Sequence, residues 1–287
     1  MTHISKVNIE RFFEHVVPIT EVIEKQGAFF WLGFGTLLGA VRDKGIFDWE
    51  HDFDICVWEV DREKIFEAGQ ILQKKGYKIN FQKNLPWFED LMQVYVPREN
   101  LDTDSKGRIR EGIDHVDVYV FSRIGDRACM RQLHEPRTSK LKGIAVYKLF
   151  RMMNKLDPQH IDIDNRIRGI NTKAIMFIVE ALPKTILRFI SDLVWKVYVS
   201  TAKSLWQVVP HEFFSEFSKI SLYGIEFNVP KECEKYLEYL YSSNWRTPNS
   251  NFGVDDYGGL VTLKLRNSAI NHIPVHPVRN LDKYLWE

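Results

Sequence analysis

Residues 31–58 read WLGFGTLLGAVRDKGIFDWEHDFDICVW and decide the interpretation of the chain. The run begins with apolar residues and reaches Gly35, which is typical of a buried strand that enters a turn. After a basic segment, Asp52 and Asp54 alternate with apolar residues, a pattern that predicts a half-buried strand. Side chains two positions apart on a strand point to the same side, so these two carboxylates can converge on one point.

Two neighbouring carboxylates repel each other unless a cation lies between them, so the pattern predicts a divalent metal site. Mg²⁺ or Mn²⁺ is the expected ion, because such ions take a few carboxylate oxygens and leave other positions for water and phosphate. Asp117 in the later strand HVDVYVF is the expected third ligand, with Asp114 at the mouth of that strand as the alternative. The D-x-D pairs at 102–104 and 162–164 lack a preceding glycine turn and are interpreted as solvated surface.

Residues beside the acids are candidates for binding a phosphorylated ligand. Gly35 and Thr36 would let backbone N–H groups approach a phosphate closely, with the Thr36 hydroxyl as a further donor. Arg42 and Lys44 add positive charge on the connecting segment. Together with two metal ions, these groups would hold a diphosphate and stabilise the charge that develops as a P–O bond breaks.

Composition limits the possible partners and locations. The 287 residues are 45% hydrophobic with a formal net charge of +1, which predicts a soluble globular protein and, without a sustained basic stripe, no nucleic-acid partner. Three scattered cysteines indicate a reducing compartment and neither a disulfide framework nor a zinc cluster. Because the sequence has neither a signal-peptide pattern nor about 20 uncharged apolar residues in a row, a cytoplasmic location is expected.

The order of the patterns predicts an α+β fold. Residues 1–150 run helix, strand, strand, helix, strand, strand, strand, and form the expected catalytic core. From residue 151 the pattern turns helical, with residues 171–209 as the longest amphipathic region. Helix packing explains its apolar stripe; peripheral contact with the inner membrane surface is the alternative, because lysines and arginines lie beside the stripe. Residues 151–287 are the expected helical region that covers the site and binds the acceptor.

Histidine and tryptophan residues receive structural interpretations. No spacing groups His115, His134 and His276, so they are assigned to the surface or to packing rather than to a metal. Trp31 and Trp49 are assigned to buried packing, with stacking on a nucleotide base as the alternative.

At this point the motifs resemble those of a known family. GFGTLLGAVRDKGIFDWEHDFDI is similar to the signature of the LicD family, which includes the fukutin and fukutin-related proteins: a glycine with Thr or Ser, then LLGAVR, a glycine, and PWDDDIDI in the same order. HVDVYVF resembles the family's later strand with its third aspartate, and residues 208–248 resemble its C-terminal part.

The resemblance implies a nucleotidyltransferase-like mixed sheet with flanking helices and a mainly helical C-terminal half. It also implies transfer of phosphocholine, ribitol phosphate or glycerol phosphate from a CDP-linked alcohol to a hydroxyl on a glycan or glycolipid, with CMP leaving, as in capsule or lipopolysaccharide modification. Matched position by position, the implied metal ligands are Asp52, Asp54 and Asp117, and the implied donor contacts are Gly35, Thr36 and Arg42.

The chain departs from the family signature just before the aspartates. Where the family has three acids after its tryptophan, this chain has Glu50 and then His51, so the first acid is a glutamate and the second is lost. Asp117 is the expected proton acceptor, and Glu50 is the alternative, either as a base or as a metal ligand.

Two other functions remain open. In the first, the same metal site transfers a nucleotidyl group from a nucleoside triphosphate, and pyrophosphate release would identify that reaction. In the second, the fold is a catalytically silent module that binds a nucleotide or a glycan, which would bind its ligand without metal and without turnover.

Overall fold

A computed structural model describes residues 6–47, 49–80, 91–97, 112–133, 182–183, 186, 203–249 and 256–264. These residues form a mixed β-sheet with helices packed on it. The helices are α1 (Lys6–Arg11), α2 (Val17–Lys25), α3 (Phe34–Arg42), α4 (Arg62–Lys74) and α5 (Cys233–Tyr241), and a π-helical turn (Phe12–Val16) joins α1 to α2. The strands are β1 (Phe30–Leu32), β2 (Asp52–Trp58), β3 (Lys78–Asn80), β4 (Leu91–Tyr95), β5 (His115–Ile124), β6 (Arg127–Leu133), β7 (Lys203–Pro210), β8 (Phe217–Leu222), β9 (Ile225–Pro230) and β10 (Leu260–Lys264).

Parallel pairing of β2 with β5 is the feature of the sheet that creates the site. Within the described residues, the strand order is β1-β2-β5-β6-β7-β10. In addition, β4 pairs with the first half of β5, whereas β6 pairs with its end, and β3 pairs with β4. All of these pairs except β2–β5 are antiparallel, while β8 and β9 form a separate hairpin. The register sets Asp52 opposite His115 and Asp54 opposite Asp117. Acidic residues that lie 63 positions apart in sequence are therefore direct neighbours.

Alternation along β2 separates core from site. Phe53 and Ile55 are fully buried, and the Phe53 ring lies 5.8 Å from the rings of Phe12 and Phe227, which belong to the π-helical turn and the hairpin. The intervening aspartates point to the opposite face, which α3 covers. The alternation expected from the sequence is confirmed.

Buried polar contacts hold α1 against the segments that lead into β2 and β5. Asn8 is fully buried; its amide donates to the carbonyl of Phe47 at 2.7 Å and accepts from the N–H of Ile113 at 3.0 Å. Arg11 donates to the carbonyl of Ile113 at 3.0 Å. A buried amide with both ends satisfied costs little desolvation energy and fixes geometry. These contacts therefore set where both strands begin, which is also where the acids lie.

The expected α+β core is confirmed with two additions. The strands predicted at residues 53–60, 77–81, 91–97 and 115–121 correspond to β2, β3, β4 and β5, and the helix predicted at residues 61–76 corresponds to α4. The sequence interpretation missed β6 and also α3, whose apolar residues recur at helical spacing. Gly35 and Gly39 concealed α3, because glycine lowers helix propensity by about 1 kcal/mol relative to alanine.

The C-terminal part differs from the expected helical region. The helix predicted over 171–209 is wrong at its end, where Lys203–Pro210 is strand β7, paired on one side with β6 and on the other with β10. Residues 203–249 and 256–264 contain four strands and a single α-helix. Pairing on both sides outweighs the local helical pattern. Because β7 and β10 lie in the same sheet as β1–β6, the sheet crosses the predicted division at residue 150, and that division stays a prediction.

The membrane expectation for residues 171–209 falls mostly outside the described residues. Among the residues that the structure describes, no helix has the length and apolar character needed to cross a bilayer. The D-x-D pairs at 102–104 and 162–164, and also His134 and His276, lie outside the described residues too.

Candidate active site

The site begins where β1 passes into α3 through a very close backbone approach. The N–H of Gly33 donates to the carbonyl of Asp54 at 3.1 Å, and a Cβ atom at Gly33 would lie 2.5 Å from the sulfur of Cys56. Phe34, the first residue of α3, has a φ of 38°, in a region that non-glycine residues rarely adopt. Its buried ring packs edge-on against Tyr119 at 4.7 Å. Packing thus holds a strained turn that brings the start of α3 onto β2.

Thr36 and Asp54 form a reciprocal pair at the first turn of α3. The N–H of Asp54 donates to the Thr36 hydroxyl at 2.7 Å, and the N–H of Thr36 donates to an Asp54 carboxylate oxygen at 3.3 Å. Both residues are buried. A carboxylate at a helix N-terminus is favoured by the helix dipole and by N–H groups without intrahelical partners. Thr36 therefore orients Asp54, and its contact with a phosphate stays a prediction.

Two overlapping sets of side chains could each hold one metal ion. Ligand atoms of Glu50, Asp52 and Asp54 lie within 4.8 Å of one another, and the same is true of Asp52, His115 and Asp117. Asp52 belongs to both sets, as a carboxylate that bridges two ions would. The structure thus brings the three expected aspartates and Glu50 together, and it adds His115.

Burial and mutual repulsion raise the pKa values of carboxylates in this cluster. Burial raises the pKa of Glu50 to about 9, helped by a hydrogen bond with Asp52 and by its charge. Burial also raises the pKa of Asp54 well above its usual value, and the charges of Asp52, Glu50 and Asp117 add to this effect. Carboxylates this close keep protons when no cation is present. Their oxygen atoms are the ligands that Mg²⁺ and Mn²⁺ take, so the donor set fits a divalent ion that replaces the protons.

The metal-free protein should lose stability as the pH rises. The pKa of Glu50 is raised from 4.5 to about 9 on folding, so between these values the folded protein binds more protons than the unfolded chain. Stability from this group is full below the lower value and is lost as the pH approaches the upper one. We expect the melting temperature of chelator-treated protein to fall from about pH 5 to about pH 9, and to fall less in Glu50→Gln. An equal fall of the melting temperature with pH in the wild type and in Glu50→Gln would contradict the raised pKa of Glu50.

Asp117 is held by a shell of polar side chains that the sequence interpretation missed. Gln93 on β4 donates to one carboxylate oxygen of Asp117 at 3.1 Å, and the Tyr119 hydroxyl donates to the other at 3.2 Å. The Nε2 atom of His115 lies 3.3 Å from Asp117, and its Nδ1 atom is hydrogen-bonded to Asp114. The sequence does contain a pattern that predicts part of this shell: in HVDVY the polar residues recur every second position and therefore share one face of β5.

His115 is therefore neither a surface residue nor simply part of the core packing. It is half-buried between two carboxylates, and its ring stacks on Tyr95 at 5.1 Å. Burial lowers the pKa of His115, but the hydrogen bonds to Asp114 and Asp117 and the charges of these residues outweigh it and raise the pKa to about 11. The expectation that no grouping would involve this histidine is wrong.

The acids open onto a cleft of about 1610 Å³. One wall carries Gly35, Glu50 and Asp52, whereas Asp54 and Asp117 are only 3% and 4% exposed and do not line the cleft. The opposite wall comes from α5 and the residues that follow it, among them Lys235, Tyr241, Asn244, Trp245, Thr247 and Tyr257. Described residues of the expected covering region, 151–287, thus line the cleft, and their binding of an acceptor stays a prediction.

Arg42 and Lys44 have different surroundings from those expected of donor contacts. The Arg42 guanidinium donates to Asp43 at 2.7 Å and to the carbonyl of Trp245 at 3.2 Å, so it ties α3 to the opposite wall of the cleft that it also lines. Lys44 is exposed, with a φ of 58°, and does not line the cleft. A phosphate-binding role stays a prediction for both residues.

Trp31 and Trp49 differ in their exposure to solvent. Trp31 is fully buried among aromatic rings, as expected. Trp49 is 56% exposed at the cleft and stacks on Phe47, with 5.0 Å between ring centres and 13° between planes. Buried packing is therefore the wrong account of Trp49, whose outer face is open to a ligand.

Comparison with known proteins finds a family model that matches part of the chain. Residues 27–132 match the family model described as LicD/FKTN/FKRP, nucleotidyltransferase domain. An uncharacterized protein of Rickettsia prowazekii, RP689, is 30% identical over 63 residues, which cover 22% of this chain and only 24% of that protein.

Two solved structures of ANT(2″)-Ia, an antibiotic-resistance factor, are also similar. The solution structure has 9% identity and a TM-score of 0.27 over 64% of this chain and 90% of that one. The crystal structure, in complex with adenylyl-2″-tobramycin, has 10% identity and a TM-score of 0.26 over 64% and 96%. TM-scores this low carry no argument about this chain. Residues 27–132, which carry the clustered acids, are thus similar to the LicD/FKTN/FKRP nucleotidyltransferase domain.

Proposed function

We propose that this protein transfers a phosphorylated alcohol from a CDP-linked donor to a hydroxyl of a glycan or glycolipid and releases CMP. Phosphocholine, ribitol phosphate and glycerol phosphate are the candidate groups. The observation that carries the proposal is the cluster of close carboxylates, which lies in the LicD-matched residues at the start of α3 and opens onto a large cleft.

Mg²⁺ or Mn²⁺ is the proposed cofactor. Asp52, Asp54 and Asp117 would hold it, with Thr36 and Gln93 fixing the orientation of two of these carboxylates. When bound, such ions neutralise the negative charge of a diphosphate and lower the pKa of an attacking hydroxyl. Oriented ligands matter here, because in-line transfer depends on positioning more than on covalent chemistry by the protein.

The donor diphosphate would lie against the first turn of α3. Gly35 lines the cleft there, and its missing side chain leaves room beside Glu50 and Asp54. The backbone N–H groups of a helix's first turn and the helix dipole both favour an anion. Trp49 offers an exposed aromatic face at the same cleft for the base or for a sugar ring.

Glu50 is the residue that we assign as proton acceptor. The acceptor hydroxyl oxygen attacks the phosphorus that bears the alcohol, its proton passes to Glu50, and the bond to CMP breaks with the electron pair leaving on CMP. Glu50 lines the cleft, whereas Asp117 is buried and both of its oxygens accept hydrogen bonds. The acceptor must approach through the cleft, so geometry favours Glu50 over Asp117.

The acceptor would be held by the wall after α5, where side-chain amides and hydroxyls suit a glycan; Asn244 and Thr247 are examples. Peripheral contact of the part of residues 171–209 that precedes β7 with a membrane surface would serve a glycolipid acceptor and is part of the same proposal.

Thermal stabilisation of the full chain by candidate donors tests the proposal. CDP-ribitol, CDP-glycerol, CDP-choline, UDP-glucose and ATP are each added with Mg²⁺, with Mn²⁺ and with a chelator. A ligand at about 100 times its Kd stabilises the folded state by about 2.7 kcal/mol, which a melting curve resolves. We expect one CDP-alcohol to stabilise the protein only with metal. Stabilisation by ATP alone would indicate nucleotidylyl transfer, and metal-independent stabilisation without turnover would indicate a binding module; either would overturn the proposal.

A further inference from the structure

We propose that Asp52, His115 and Asp117 form a second metal position, bound through the Nε2 atom of His115, that prefers Mn²⁺ or a similar first-row ion to Mg²⁺. This inference rests on the metal-dependent function proposed above. It adds a nitrogen ligand from a residue that the LicD signature motifs do not single out, and with it a preference between the two candidate ions.

Geometry is the first reason. A ring nitrogen of His115 and carboxylate oxygens of Asp52 and Asp117 lie within 4.8 Å of one another, and the Nε2 atom of His115 lies 3.3 Å from Asp117. Ligands about 2.1 Å from a common ion are at most about 4.2 Å apart, so small side-chain shifts suffice to close this set around an ion. The parallel register fixes this proximity, because Asp52 lies directly opposite His115, and Asp117 follows two positions later on the same face of β5.

The orientation of the imidazole is the second reason. Its Nδ1 atom is hydrogen-bonded to Asp114, which leaves Nε2 as the atom that faces Asp117 and the cluster. A histidine that binds a metal through one nitrogen usually donates the other N–H to a carboxylate, which fixes the ring and increases its basicity. Stacking on Tyr95, with 19° between the ring planes, restricts ring rotation further. Asp114, the alternative third ligand at the sequence level, thus orients a ligand instead of being one.

The ligands of the two positions differ in chemistry. Asp52 and Asp54 offer only oxygen to the first position, which suits Mg²⁺, and Glu50 beside them stays the proton acceptor. An imidazole nitrogen in the other set shifts the preference toward first-row transition ions. Since Asp52 belongs to both sets, it would bridge two ions, which in two-metal sites are about 3.5–4 Å apart.

Pulsed electron paramagnetic resonance of Mn²⁺ bound to the full chain tests the nitrogen ligand directly. We expect modulation from a coordinated ¹⁴N nucleus in the wild type, its replacement by a ¹⁵N signal after ¹⁵N-histidine labelling, and its loss in His115→Gln. His51→Gln is the matched control, because His51 lines the cleft next to Asp52 yet is exposed, with Nδ1 3.3 Å from the carbonyl of Gly112. That variant should keep the ¹⁴N signal.

Absence of ¹⁴N modulation in the wild type, or its survival in His115→Gln, would overturn the inference and leave His115 as a cation between two carboxylates. If His115→Gln fails to fold, a ¹⁵N-histidine signal that survives in His51→Gln still supports His115, the one histidine in the described groups of clustered ligand atoms, and its loss in His51→Gln would overturn the inference. Calorimetric titration adds a second readout: we expect His115→Gln to lower Mn²⁺ affinity at least about tenfold and Mg²⁺ affinity less, and Asp114→Asn to lower Mn²⁺ affinity about 10–100-fold while keeping the nitrogen signal. Equal losses for both ions would overturn the preference.

These measurements use metal alone, so they separate the inference from the proposed function. Turnover of a CDP-alcohol without nitrogen coordination would reject the second metal position and keep the function. Nitrogen coordination without any response to a CDP-alcohol would keep the metal position and reject the donor.

Discussion

Replacing Asp54 by asparagine should abolish turnover and raise the melting temperature of the metal-free protein. Asp54 is 3% exposed, and burial together with the charges of Asp52, Glu50 and Asp117 raises its pKa. A neutral amide of the same shape removes this repulsion and can still accept the N–H of Thr36. The same change removes a metal ligand, and a catalytic metal stabilises the transition state by several kcal/mol, so the loss should be on the order of 10³-fold or more.

Melting curves with chelator and CMP release with Mn²⁺ measure the two effects on one sample. Asp61→Asn is the matched control, because Asp61 is also a buried carboxylate, but it accepts the N–H of Phe29 at 3.1 Å and pairs with Lys64 at 2.6 Å. That variant should melt earlier and keep its turnover. Near-normal activity in Asp54→Asn, or a lower melting temperature without metal, would contradict the account of the site.

An alanine at Gly35 should lower turnover on the order of 10²-fold in a protein that still folds, the size of effect expected when reacting groups are displaced by about 1 Å. The added Cβ atom would lie 2.7 Å from a Glu50 oxygen and 3.4 Å from an Asp54 oxygen. Glu50 must therefore move, and the donor loses the space beside it. Helix propensity favours alanine over glycine by about 1 kcal/mol, so α3 itself is not weakened.

Gly69→Ala is the control for this second change. Gly69 also lies in a helix, α4, and its added Cβ atom would meet the sulfur of Met92 at 3.1 Å and the Cγ2 atom of Ile79 at 3.5 Å, both in side chains away from the acids. We expect Gly69→Ala to keep turnover and metal affinity. A Gly35→Ala protein with wild-type turnover would show that the donor does not need the space at the start of α3.

Local pattern was enough to identify the strands that carry the acids. Alternation around Asp52 and Asp54 and again around Asp117 comes from one buried face per strand, which is a property of short segments. The pairing of strands that are distant in sequence, in contrast, is not a property of short segments. Only the parallel register of β2 with β5 shows that Asp52 faces His115, and this is why the histidine was assigned to packing.

The C-terminal wall of the cleft could not be derived from local pattern. Lys203–Pro210 looked like the end of an amphipathic helix, and only its pairing with β6 and β10 makes it a strand. Likewise, Trp49 carries no local sign of exposure; its open face depends on Phe47 behind it and on the cleft in front. Contacts between distant segments decide such positions, whereas the paired aspartates could be predicted because they alternate with apolar residues on one strand.

Phosphorus NMR of the donor during incubation with the full chain tests the central claim most directly. CDP-ribitol, CDP-glycerol and CDP-choline are each supplied with Mn²⁺ or Mg²⁺, with water and a mixed oligosaccharide preparation as acceptors. The account predicts metal-dependent release of CMP from one CDP-alcohol, none with chelator and none with Asp54→Asn. Pyrophosphate release from a nucleoside triphosphate, or no metal-dependent cleavage of any CDP-alcohol, would contradict it.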